Sequence, residues 1–344
     1  MQRELKPGKL LNDEGTLNEA GYATRPIKTF NPETIKKSKL KLKQWDYYYV
    51  ENESYGIAFT VADNGYMGLL SVSLVDFKGE SVHTKTRIPL MTMGRLGLPK
   101  SSEDGDLHVR KGPFDIRFSH TGKSRDIDVF VDKFLDNRTF NAQLSLIDEP
   151  RDSMVIATPF EQSEKMFYYN RKTIGFKVSG HASLGNQKMV FTEDSSWGLL
   201  DWGRGVWPRD TTWYWAAFCG QSQGMEIALN LGYGFGDLSQ STENMVFING
   251  KAHKLTDVDF NIPTDDKHGE RQLDEPWHIT SSDNRIEGTF TPEIKRVDHT
   301  DLKVLKSFQR QIFGTFNGTV VLDDGTRLEV GPLRGFAEVV KNKW

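Results

Sequence analysis

Three charged residues lie close enough to aromatic ones to suggest chemistry. Asp201 and Arg204 fall within SSWGLLDWGRGVWPRDTTWYW, which also holds Trp197, Trp202, Trp207, Trp213 and Trp215, five of the eight tryptophans. Glu243 follows GDLSQST and precedes Asn244 and the apolar run Met245 to Ile248. Burial and a nearby arginine push two carboxyls apart in pKa, leaving one as acid and one as base. Asp201, Arg204 and Glu243 are therefore the candidate catalytic set. Large flat side chains beside a few placed polar groups are also what a ligand pocket needs. The candidate walls are Trp202, Trp207 and Trp277, with Trp45 and Tyr47 from an earlier aromatic stretch. Arg204 is the expected partner of an anionic or carbonyl head group, because its planar fork makes two parallel hydrogen bonds. Arg209, Trp213, Trp215, Asn244 and His278 complete the candidate ligand-binding set. A plainer reading stays open: Trp213 and Trp215 share a strand face and fill a core, and Asp201 pairs with Arg204 to pin a turn.

Other chemistry lacks support. No HExxH, Cys-x-x-Cys or His-x-His motif occurs, so no metal site is expected, and no Gly-x-Ser-x-Gly elbow occurs. GYGFGD lacks the full glycine pattern and strand–helix context of a dinucleotide loop, so no cofactor is expected. One cysteine, Cys219, excludes an internal disulfide framework. With 44 Lys+Arg against 47 Asp+Glu, the net charge is −3, which argues against a nucleic-acid partner. The basic run Lys36 to Lys43 reads as a solvated linker. No apolar stretch of about 18 residues occurs, so no integral membrane segment is expected, and without an export signal the expected location is cytoplasmic.

The elements that must position these residues read as strands. Phe140 to Leu146 alternates strictly; Phe114, Ile116 and Phe118 share one face, as do Ile57, Phe59 and Val61. Asn64-Gly65, Asn249-Gly250 and Asp324-Gly325 separate apolar segments and suit tight hairpins. The pattern predicts on the order of twenty short strands, an all-β protein of barrels or sandwiches. Leu302, Leu305, Phe308 and Ile312 have helical spacing, but a strand is equally plausible from Ser307 on. Aligning Trp45 with Trp213 sets WDYYYVENESYGIAFTVADNGY against WYWAAFCGQSQGMEIALNLGY, with Gly56 on Gly224. Two similar tandem β-units are expected, residues 1–200 and 201–344.

Four stretches carry a family resemblance: GLLDWGRGVWPRDTTWYWAAF, NLGYGFGDLSQSTENMVFINGKAHKL, PWHITSSDNRIEGTFTP and GTFNGTVVLDDGTRLEVGPLRGFAE. With the amino-terminal LLNDEGTLNEAGYATRPI, they resemble a bacterial domain-of-unknown-function family. That family looks related to the AttH-like and carotenoid hydratase proteins through the Asp…Gly turn, the Trp-x-Trp strand and the closing Gly335 to Glu338. The resemblance implies two lipocalin-like β-barrels side by side, with an apolar ligand in or between them. Carotenoid hydratases are similar in carrying Asp-His-x-Trp-Gly, where this chain reads Asp201-Trp202-Gly203-Arg204-Gly205. Their proton-donating acid falls near Asn230 here, so any acid–base set must differ. The leading expectation is binding of an apolar or amphipathic small molecule, lipid or isoprenoid in type. The alternative is a cofactor-independent isomerase, cyclase or lyase acting on such a ligand. Stacking on a carbohydrate is a third.

Overall fold

The structure is a computed structural model that describes residues 2–35, 38–265, 270–301 and 306–343. Leu302 and Leu305 lie outside the described residues. The remainder of that segment is the strand Lys306–Val321, as the β-branched and aromatic content of its second half favours. The fold is all-β with almost no helix, built on two curled antiparallel sheets of lipocalin-like form.

The first sheet has 13 strands among the described residues. Its main path begins with Ser81–Arg87, Gly68–Asp76, Tyr55–Asp63 and Lys43–Glu51, a meander in sequence order. Trp197–Val206 joins it next, then the long strand Ser163–Leu184. The second sheet has nine strands and repeats this plan. Lys251–Lys254, Met245–Ile248, Met225–Tyr233 and Asp210–Ser222 form the meander, and Arg327–Lys343, Lys306–Val321 and Ile286–Asp301 follow. The paired hairpins of the Trp45 and Trp213 segments therefore occupy equivalent places. Each expected turn dipeptide joins neighbouring strands; Asn249 and Gly250 have φ of 47° and 73°, the left-handed pair that a two-residue hairpin requires.

Alternation along the strands makes three cores rather than two. Tyr48, Val50, Phe59, Val61, Leu70 and Val72 point into the first barrel. Ala216, Phe218, Leu229, Leu231, Phe290 and Phe316 fill the second. The opposite faces of the same strands meet each other: Tyr47, Tyr49 and Leu199 from the first sheet pack with Trp215, Ala217, Phe313 and Phe336 from the second. This seam follows from strands such as Tyr47-Tyr48-Tyr49-Val50, apolar on both faces, which is how a sheet covered on both sides reads. The amino-terminal segment straps the two sheets together. Gly21–Ala23 pairs with Met154–Phe160 of the first. The Arg3 amide donates to the Gln240 carbonyl (2.8 Å), and Gln2 Oε1 accepts from the Thr242 amide (2.8 Å).

Candidate functional site

Two rows of side chains face each other across the seam. In the first sheet, Lys172, Asp201, Tyr47, Thr60 and Ser71 are cross-strand neighbours in turn, so they share one face. Gly203, Trp45, Ala62 and Leu69 form the next row on that face. In the second sheet, Trp215, Glu338, Gln311 and Arg296 make one row, and Trp213, Val340, Gln309 and Asp298 make the next. Between them lies a cavity of about 170 Å³, room for on the order of ten water molecules. Seven aromatic rings wall it: Trp45, Tyr47, Tyr168, Trp207, Trp213, Trp215 and Phe235. Leu69, Asp298, Gln309 and Trp213 are half-exposed, whereas Lys172, Asp201 and Glu243 are buried.

Glycine makes two of these placements possible. A Cβ on Gly203 would stand 2.3 Å from the Trp45 ring, which lies across the bare backbone of its cross-strand neighbour. A Cβ on Gly232 would stand 2.6 Å from Glu243 Oε1. The run GYGFGD therefore begins with a glycine that makes room for a carboxylate.

The polar floor is tightly wired. Lys172 Nζ pairs with Glu243 Oε2 and sits 4.5 Å from the centre of the Trp215 ring. Asn230 clamps two neighbours: its Nδ2 donates to the Glu243 carbonyl (2.7 Å), and its Oδ1 accepts from Trp215 Nε1 (2.9 Å). Asp201 Oδ1 accepts from Asn170 Nδ2 at 2.6 Å. Burial pushes the Asp201 carboxyl up, and Lys172 and hydrogen bonds from Asn170 and Trp45 offset this only in part. Glu338 Oε1 accepts from Trp213 Nε1 at 3.0 Å. Burial raises the Glu338 carboxyl from 4.5 to about 7, and the negative charge of Asp201 adds to the rise. Glu338 nonetheless keeps accessible surface, because its flank is the cavity itself. The site thus holds two enclosed carboxyls, both raised by burial, under aromatic walls. Among the described residues, no cluster of three His, Cys, Asp or Glu is placed to hold a metal ion.

The sequence profile of a domain of unknown function, DUF2804, matches residues 2–344. The chain belongs to this family. In fold, the DUF2804 chain is similar to kievitone hydratase from Nectria haematococca, at 14% identity and a TM-score of 0.53, over 89% of this chain and 90% of that one. CghA with Sch210972 aligns over 97% of both chains at 10% identity and a TM-score of 0.48. An AttH protein from Nitrosomonas europaea aligns over 90% of this chain and 95% of its own at 14% identity and 0.43. These last two likenesses are too loose to build on, and at such identities the first shows the fold alone. No curated protein matches the chain in sequence.

Of the residues expected from sequence, the DUF2804 cavity brings together Trp45, Tyr47, Asp201, Trp207, Trp213, Trp215 and Glu243. The others lie elsewhere, for identifiable reasons. Asp201 and Arg204 are three apart on one strand, so they face opposite sides of the sheet. Arg204 is fully buried in the first barrel, where it pairs with Asp46 (2.8 Å) and donates to the Pro99 and Trp45 carbonyls (2.8 and 2.7 Å). It therefore does not line the seam cavity. Trp202 shares that face, stacks beneath the Arg204 guanidinium (4.1 Å) and meets Tyr169 edge-on. Trp277 is wholly buried in the second barrel against Phe260 and Phe290. His278, one residue on, points outward beside Glu287 (3.7 Å). Asn244 is spent on the backbone, accepting from the Gly232 amide (2.6 Å) and donating to the Thr256 carbonyl (2.8 Å). Arg209 is exposed on the connector between the sheets and does not line the cavity.

Lys172, Tyr168, Phe235, Arg296, Gln311 and Glu338 line the cavity and were not foreseen. Only Glu338 had a signal, as the last residue of the Gly335 to Glu338 pattern. Lys172 and Arg296 look like ordinary strand cations until the two sheets are set face to face.

Proposed function

We propose that the seam cavity binds a small amphipathic molecule, with an apolar or aromatic body between the indoles and a polar group on the Asp201–Glu338 floor. The seven-ring wall closing over a wired polar floor carries this reading. Apolar enclosure with a few oriented polar groups is the general form of a small-molecule site. A cytoplasmic setting and a division into two barrel units near residue 200 belong to the same proposal. The first sheet's strand Trp197–Val206 runs through residue 200 and ends just before the second sheet's strand Asp210–Ser222, which supports a division a few residues later.

A second reading, cofactor-independent acid–base catalysis, is favoured by Glu338. A carboxyl near pKa 7 holds a proton at neutral pH and can give it up. In an elimination, Glu338 would protonate a leaving hydroxyl as its C–O bond breaks, and Asp201 would take the proton from the adjacent carbon as the C=C bond forms. Water and an alkene result, and the reverse is hydration. The name of kievitone hydratase, which shares the fold, gives hydration as that protein's reaction.

Native mass spectrometry of the gently purified protein, before and after incubation with a panel of flavonoids, terpenoid alcohols and lipids, tests the binding reading. Retained or acquired small-molecule mass is expected. A mass unchanged by every panel member, with unquenched tryptophan emission, would overturn it. Asp201→Asn and Glu338→Gln then separate the readings: turnover lost with affinity within about threefold marks catalysis, and affinity alone lost marks a carrier.

A further inference from the structure

We propose that the ligand of the seam cavity carries a positively charged nitrogen, an amine or quaternary ammonium, on its apolar or aromatic body. This rests on reading the cavity as a ligand site and names the class of molecule it selects. The charges around the cavity do not balance. Four carboxyls face it: Asp201 from the first sheet, Glu243 from the segment before Met245–Ile248, Glu338 from Arg327–Lys343 and Asp298 from Ile286–Asp301. Two cations face them, Lys172 and Arg296. Lys172 is taken by Glu243, and Arg296 donates to Ser73 Oγ at 3.0 Å. Asp201 and Glu338 accept hydrogen bonds from neutral donors, Asn170 and Trp213 among them, and the nearby charges of Lys172 and Arg296 offset their burial only in part. An enclosed carboxylate without a counter-cation is costly, and either a proton or a cation must compensate it.

The walls favour the cation. An indole face attracts positive charge through its quadrupole, and the chain already uses this: Lys172 Nζ sits over Trp215, and Lys43 Nζ lies 5.0 Å from the centre of Trp207. Trp213 turns its N–H edge to Glu338, so an acid and an electron-rich ring are presented side by side. Tyr47 and Tyr168 stay neutral, because burial pushes their phenols up. The surplus of two carboxyls repels an anionic ligand. A bound cation would balance one of them and leave the other its proton, so the acid chemistry survives.

Three shape-related probes test this on the full chain at pH 8, by tryptophan quenching and calorimetry: benzyltrimethylammonium, its uncharged carbon isostere neopentylbenzene, and phenylacetate. The cation is expected to bind at least tenfold tighter than the isostere, and phenylacetate not measurably. Cation affinity should fall about tenfold between pH 8 and pH 5, as protons compete for the carboxyls. Glu338→Gln should weaken the cation about tenfold and leave the isostere within twofold, with Asp201→Asn as an independent second variant. If the isostere or phenylacetate binds as tightly as the cation, or cation affinity does not change with pH, the charge inference falls while the cavity remains a ligand site. If none of the three binds, both readings fall.

Discussion

Glu51 is a buried carboxyl outside the seam cavity. It accepts from Tyr49 Oη at 2.9 Å, and burial raises it from 4.5 to about 7. The folded protein therefore binds this proton more tightly than the unfolded chain does. Its contribution to stability is whole below about pH 4.5 and is lost as the pH rises through about 7. Glu51→Gln should leave the urea midpoint unchanged at pH 4 and raise stability at pH 8, by up to about 3 kcal/mol. Equal effects at both pH values would show that Glu51 ionises freely. Glu338 has the same sign and the same window. If turnover is found, it should fall as the pH rises through about 7, and the residual turnover of Glu338→Gln should lack that fall. At this scale the sequence was legible where chemistry and tryptophan density coincided, as at Asp201, Glu243, Trp207, Trp213 and Trp215. It was not legible at Arg204, because nearness along a strand says nothing about facing: one step reverses the side.

A strand's register decides what each residue type means. Asp46 and Arg204 form an ion pair inside the first barrel, with Arg204 fully buried. Arg204→Met should cost about 3–5 kcal/mol in urea denaturation, because it leaves a buried carboxylate unpaired. Adding Asp46→Asn should recover part of that loss, and neither change should alter ligand selectivity. A loss under about 1 kcal/mol would mean that Asp46 reaches water or takes a proton. Gly203 tests the opposite face of the same strand. Gly203→Ala should push the Trp45 indole off the backbone, costing about 1–3 kcal/mol. It should weaken ligand binding about tenfold and shift tryptophan emission, with an unchanged circular dichroism spectrum. Unaltered emission would show that the strand yields instead of the ring. The hairpins and their turns were readable because Asn-Gly and alternation are local signals. The seam was not, because a strand apolar on both faces gives no sign of which face meets the other sheet. Trp202 and Trp277 were misplaced for that reason.

In the whole molecule, the two sheets share a core instead of merely touching. Lys172 pairs with Glu243, Gln311 Nε2 donates to Tyr47 Oη (3.2 Å) and Arg296 reaches Ser73, all across the seam. Seam aromatics such as Tyr49, Phe313 and Phe336 would be bared if either half opened alone. Heating should therefore give a single transition, with tryptophan fluorescence and far-ultraviolet circular dichroism coinciding within about 2 °C. Two separated transitions would mean that the barrels are energetically independent. The tandem plan was legible from the Trp45–Trp213 correspondence.

The strap formed by the first residues has a practical corollary. Gln2 and Arg3 hold Gln240 and Thr242, and Thr242 adjoins the carboxylate that Lys172 grips. Replacing Gln2 by alanine would loosen that anchorage and mimic a defect in the cavity itself, although Gln2 lies outside its lining.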